Sequence, residues 1–68
     1  MELVKGKSYT MRESGIYVTI IDIIEQAFFY THAIIAIKNK YTGYLVESRP
    51  YVLKHEMIKD WVEFEYEA

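Results

Sequence analysis

The sequence predicts a mainly β protein, either a small five-stranded barrel or a strongly bent antiparallel sheet. Residues 16–38 are dense in β-branched and aromatic side chains, which favour strands. Turn-forming residues divide the chain into short segments of strand length. Residues 61–66 alternate between large apolar and acidic side chains, as a half-buried strand does. At 68 residues the chain forms one domain, 1–68.

The first half of the chain contains two predicted strands. An arm or strand covers residues 3–12, with a bulge expected at Gly6, and a turn follows at Glu13–Gly15. The second strand covers residues 16–26. A long helix over 18–38 is the alternative, because the spacing of apolar residues does not distinguish a strand from a helix in a continuous apolar run. Six of the nine residues 17–25 are β-branched, which favours the strand.

The second half begins with a predicted hairpin. Its strands cover residues 31–38 and 44–49, and its loop covers 39–43, where a glycine can adopt a positive φ. Pro50 either ends the fourth strand or marks it as a sheet edge, because proline cannot donate a ladder hydrogen bond.

A short helical turn and a last strand complete the predicted order of elements. Leu53, Met57 and Ile58 are spaced as one apolar stripe, which predicts the turn near residues 53–58. In the last strand, 61–66, three apolar residues share one face, and Trp61, Glu63 and Glu65 share the other.

The layout resembles Src-homology-3-like small barrels. The residues that carry the resemblance are Lys5-Gly6-Lys7-Ser8-Tyr9, which match a Gly-x-x-Tyr opening, and the order hairpin, short turn, last strand. The Ala-Leu-Tyr-Asp-Tyr signature of peptide-binding members is absent, so their groove for proline-rich ligands is not implied. The size and residue usage also resemble small accessory proteins of bacteriophages, which implies action on a host protein in the host cytoplasm.

The central strands carry apolar residues on both faces. Regular alternation places Ile21 and Ile23 together on one face and Ile20 and Ile24 on the other. A small domain covers only one face, so the spare isoleucines predict a partner, and a homodimer through Ile21 and Ile23 is favoured. One alternative is that strongly bent strands bring both faces to a core, and another is that the terminal arm and the helical turn fold over one side.

Catalytic and metal-binding patterns are missing from the sequence. Cysteine is absent, which excludes disulfides and zinc sites of the Cys/His kind. His55-Glu56 matches the start of the zincin motif, but Lys59 stands where the second histidine is required. Three glycines do not supply a phosphate-binding loop. We therefore expect no enzyme, no cofactor and no metal.

The remaining function classes are binding functions. The leading prediction is a protein-interaction module, a phage-type accessory protein that modulates or inhibits a host protein in host takeover or anti-defence. The predicted contact residues are Trp61, Glu63, Glu65, Tyr41 and Tyr44.

Two other binding roles stay open. A nucleic-acid-binding barrel would use Lys38, Lys40, Lys5 and Lys7 beside exposed tyrosines, although a net charge of −2 speaks against it. A structural subunit of a larger assembly is the third reading.

A membrane protein is not expected. Four polar residues interrupt the apolar run, namely Asp22, Glu25, Gln26 and His32. The amino-terminal residues do not have the pattern of a signal peptide. The expected location is the cytoplasm.

Overall fold

The computed structural model describes residues 2–67 and places five antiparallel strands in one sheet. The strands are β1 (Ser8–Thr10), β2 (Ile16–Gln26), β3 (Tyr30–Asn39), β4 (Leu45–Lys54) and β5 (Val62–Glu63). Their order across the sheet is β4-β3-β2-β1-β5, so the sheet is open and β4 and β5 are its edges. The predicted mainly β class is confirmed.

The hydrophobic core lies on one side of the sheet, which we call the inner face. Ile20 of β2 and Ala33 and Ile35 of β3 are at its centre, and all three are buried. Side chains outside the long strands cover them, namely Leu3 from the amino-terminal arm, Tyr9 from β1 and Ile58 from the segment after β4. The arm and this segment therefore act as a second layer, as one of the sequence-based alternatives predicted.

Two irregularities in β2 decide which isoleucines reach the core. The pairing with β3 shifts between Ile20 and Asp22 and again between Ile23 and Glu25, which leaves Ile21 and Ile24 as extra residues. Each extra residue bulges the strand and resets its alternation. Ile23 consequently packs against the core, while Ile21 and Ile24 are exposed. The predicted regular alternation, with Ile21 and Ile23 on one face, is wrong.

The fourth strand is longer than predicted. It runs through Pro50, which pairs with Ile34, because an edge strand can accept a residue without a backbone N–H. Leu53 and Lys54 therefore belong to β4, which corrects the predicted helical turn over 53–58. Turns follow β4, including a hydrogen bond from the Ile58 N–H to the Lys54 carbonyl, and residues 2–67 contain no helix.

The opposite side of the sheet, the outer face, is covered at one end by the carboxy-terminal segment. Although β5 ends at Glu63, the predicted alternation continues, with Phe64 and Tyr66 half-buried between exposed glutamates. Both rings pack on the buried ring of Tyr17, with centroids 4.8 and 5.9 Å away. Trp61 is half-buried and packs against the inner core. Within residues 2–67 no helix is long and apolar enough to cross a membrane.

Candidate functional site

Two phenylalanines at the β2–β3 turn are among the most exposed large apolar side chains of residues 2–67. Phe28 is 85% exposed and Phe29 is 76% exposed. Their rings meet edge to face, with centroids 4.9 Å apart and planes at 86°. Burying a side chain of this size is worth roughly 1.5–3 kcal/mol, which the isolated chain does not gain here. We call Phe28 and Phe29 the hairpin-tip pair.

The backbone of the hairpin-tip pair is held in place by hydrogen bonds. The Ala27 N–H donates to the Tyr30 carbonyl across the turn at 2.8 Å. The His55 N–H, just after β4, donates to the Phe29 carbonyl at 2.9 Å. The tip is thus tied both to its own hairpin and to the end of the neighbouring strand.

The His55 ring adds two further contacts at the tip. Its Nδ1 lies 3.2 Å from the Phe28 carbonyl oxygen, and its Nε2 lies 2.8 Å from Oγ1 of the buried Thr31. Because a carbonyl only accepts, Nδ1 is the protonated nitrogen, and in the neutral ring the Thr31 hydroxyl donates to Nε2. A fixed backbone lowers the entropy lost when a partner binds.

A shallow cleft lies beside the hairpin-tip pair. Its volume is about 230 Å³, and Tyr30, Val52 and Lys54 line it together with the two phenylalanines. The Tyr30 hydroxyl donates to Oε1 of Glu25 at 2.8 Å, and this hydrogen bond to a carboxylate raises the pKa of Tyr30. The tip therefore combines an apolar centre with a polar margin, as protein-binding surfaces do.

The predicted contact residues lie at the other end of the strands. Tyr41 and Tyr44 are exposed in the β3–β4 loop, which the Asn39 side chain orders by accepting the N–H groups of Tyr41 and Thr42. Glu63 and Glu65 are exposed as expected. The loop touches the carboxy-terminal segment at Gly43, where an added Cβ would lie 2.8 Å from the Tyr66 ring.

The four lysines of the predicted nucleic-acid surface engage other groups. Lys5 pairs with Asp22 at 3.4 Å and Lys7 with Glu63 at 2.8 Å. The hydrogen bond and the charge of Glu63 raise the pKa of Lys7. The Lys38 and Lys40 ammonium groups lie 6.0 and 5.5 Å from the ring centroids of Tyr17 and Phe64. Carboxylates thus offset two of the four charges.

The hairpin-tip pair and His55 were missed by the sequence analysis. A signal for the pair was available, because predicted strands ending at 26 and starting at 31 leave both phenylalanines in a turn. The role of His55 had no such signal, since it depends on β4 continuing past Pro50 to the tip.

No group of three or more His, Asp or Glu side chains among residues 2–67 is placed to hold a metal ion. The arrangement at the tip offers an apolar contact surface with polar groups beside it. No protein-family model, no curated protein and no solved structure matches this chain.

Proposed function

We propose that this chain is a small protein-interaction module that binds its partner through the hairpin-tip pair. The observation that carries the proposal is the exposure of Phe28 and Phe29 on a backbone fixed by His55. Exposed aromatic anchors are typical of binding hot spots, where a few residues supply most of the binding energy. A pre-ordered turn can present them at low entropic cost.

The finer parts of the proposal have their own support. A phage-type accessory role, in which the partner is a host protein in the host cytoplasm, is supported by the resemblance in size and residue usage given above. A Src-homology-3-like form is supported by the order hairpin, turn, last strand and by the pairing of β1 with both β2 and β5.

Nucleic-acid binding is the second candidate function. It is favoured by the two exposed tyrosines of the β3–β4 loop, which stand near Lys40. Stacking of bases on exposed aromatic rings is how such surfaces hold single strands. The pairing of Lys5 and Lys7 with carboxylates speaks against it, because a phosphate backbone needs unpaired cations.

The test compares two double variants that remove two exposed aromatic side chains from opposite ends. One is Phe28→Ser with Phe29→Ser, and the matched control is Tyr41→Ser with Tyr44→Ser. Tagged chains capture partners from a bacterial lysate with and without nuclease, and quantitative mass spectrometry compares the eluates. Thermal melts of each variant verify that it folds.

We expect a dominant protein that the phenylalanine variant loses and the tyrosine variant keeps. Losing a hot spot of ≥2 kcal/mol corresponds to roughly a 30-fold drop in affinity. Equal recovery by wild type and the phenylalanine variant refutes the proposal. Loss in the tyrosine variant alone, together with sensitivity to nuclease, supports the second candidate.

A further inference from the structure

The outer face is covered at one end of the sheet and bare at the other. Phe64 and Tyr66 cover the end that carries Tyr17. Toward the hairpin tip, the outer face carries Ile34 of β3 and Val52 of β4, beside the bulge residues Ile21 and Ile24 of β2. We call these four residues the outer-face patch.

The four residues of the patch are apolar and accessible, and the exposed Asp22 and half-buried His32 lie among them on the same face. Ile21, Ile24 and Val52 are 46%, 52% and 56% exposed, and Ile34 between them is half-buried. These four side chains form the apolar surface of the patch, and the phenylalanine rings of the tip stay outside it. A standard interface buries about 800 Å² per partner, so the patch supplies the apolar centre of a symmetric interface and the polar residues around it supply the rest of the area.

The total surface also exceeds that of a compact monomer. A folded monomer of 8.1 kDa is expected to expose about 4,500 Å². This chain exposes 4889 Å². The difference, a few hundred Å², is of the same order as the area of the outer-face patch.

Both free edges near the patch are unsuited to adding a strand. Pro50 stands in the middle of β4 and lacks a backbone donor. The part of β2 beyond its pairing with β1 contains both bulges, which interrupt a regular ladder. Such features protect edges from pairing with another chain. A partner therefore contacts the face and not the edge.

We propose that the outer-face patch packs against the same patch of a second copy, about a two-fold axis parallel to β3. This axis places Ile34 near the Ile34 of the partner subunit, because β3 lies between β2 and β4. It also brings β2 of one copy over β4 of the other. Ile24 then faces Val52 of the partner subunit, and two apolar faces meet as stacked sheets do.

The margins of the patch carry opposite charges. Glu25 lies on the β2 margin and Lys54 on the β4 margin, and both are exposed. The two-fold axis brings Glu25 toward Lys54 of the partner subunit twice over. Pairing opposite charges at the margin fixes the register of an interface and disfavours alternatives.

The proposed dimer does not depend on the proposed function, but dimerisation would change how the hairpin-tip pair binds its partner. An axis parallel to β3 leaves the strands of both copies pointing the same way, so the two hairpin-tip pairs lie at the same end. Two tips on one particle convert the second binding event into an intramolecular one, which strengthens binding to a multivalent partner.

Sedimentation equilibrium of the purified chain tests the proposal. We expect a mass of twice 8.1 kDa that dissociates on dilution. Ile24→Glu places a charge in the apolar interface against Val52 of the partner subunit and should give a monomer. The matched control, Val46→Glu, changes a residue that is 64% exposed at the opposite end and should remain a dimer.

Charge reversal tests the register of the interface. Glu25→Lys and Lys54→Glu should each weaken the dimer at least 5-fold, and the double variant should restore most of the affinity. A monomer up to the solubility limit overturns the proposal, as does a dimer that survives Ile24→Glu. Loss of the dimer in Val46→Glu alone would overturn it too, because the interface would then lie at the end of the sheet opposite the hairpin tip. Partner capture by a monomeric Ile24→Glu would show that the tip functions without the dimer.

Discussion

At the residue scale, Gly43 shows how one position joins two distant segments. Its φ of 76° lies in the left-handed region, where a Cβ is strained. Its missing side chain also makes room for the Tyr66 ring, since an added Cβ would lie 2.8 Å from a ring carbon. The glycine therefore serves both the β3–β4 turn and the packing of the carboxy-terminal segment.

Gly43→Ala should destabilise the protein more than Gly6→Ala. Gly6 also has a positive φ, of 88°, but an added Cβ there meets no atom within 4 Å. Backbone strain alone costs about 1–2 kcal/mol, and displacing a packed ring adds about 1–3 kcal/mol at Gly43 only. Urea denaturation of both variants measures the difference. Equal losses would mean that the Tyr66 ring moves aside without cost.

His55 illustrates why residue roles are difficult to infer from sequence. Its neighbours in the chain suggested only an incomplete metal motif. Its actual contacts, with the Phe28 carbonyl and the Thr31 hydroxyl, join residues 24 and 27 positions apart. No local pattern encodes such a contact, because it depends on the length and register of β4.

At the element scale, the sequence predicted the bounds of β2 and β3 better than it predicted which side chains lie on each face of the sheet. β2 has the predicted bounds, and the predicted β3 differs from the observed strand by one residue at each end. Their content of β-branched residues is a local property. The bulges at Ile21 and Ile24 are not local, because two adjacent isoleucines do not show which one the partner strand skips. The face assignment failed for this reason.

The prediction for Pro50 and the residues after it was wrong for a related reason. The sequence offered two readings of the proline, a strand end or a sheet edge, and only the strand order decides between them. With β4 at the edge, the strand continues and its Leu53 packs against the core. The apolar spacing that suggested a helical turn comes partly from a strand and partly from Ile58 in the turn after it.

The bulge in β2 predicts unequal costs for two isoleucines that regular alternation would treat alike. Ile23→Ala removes a side chain packed against the core and should cost about 1–3 kcal/mol. Ile21→Ala changes an exposed side chain and should cost under about 0.5 kcal/mol. Urea denaturation below the dissociation constant of any dimer gives both values. Similar costs for the two variants would contradict the bulged register.

At the scale of the whole molecule, different segments cover the two faces. The amino-terminal arm and Ile58 cover the inner face, whereas Phe64 and Tyr66 cover one end of the outer face. The sequence correctly indicated more apolar surface than one core needs. It did not show where the surplus would lie, because that follows from the paths of the arm, the turn and the carboxy-terminal segment.

Two side-chain hydrogen bonds to carboxylates should make the free energy of unfolding depend on pH in the alkaline range. Lys7 Nζ donates to Glu63 Oε1, joining the β1 side to β5, and the Tyr30 hydroxyl donates to Glu25 near the tip. Each bond raises the pKa of its donor, from 10.5 for Lys7 and from 10.0 for Tyr30. The protonated donors are thus favoured in the folded state.

The free energy of unfolding should therefore fall as pH rises through this range. The contribution of both groups is complete below their unfolded pKa values and is lost as pH passes the raised folded values. The double variant Lys7→Gln with Tyr30→Phe removes both donors, so its stability should decline less between about pH 9 and pH 11.5. The control, Lys59→Gln with Tyr41→Phe, makes the same chemical changes elsewhere and should follow wild type. Because the Lys7 side chain is exposed, salt should reduce the contribution of its ion pair with Glu63. Parallel curves for wild type and the Lys7/Tyr30 variant would show that neither bond stabilises the fold in solution.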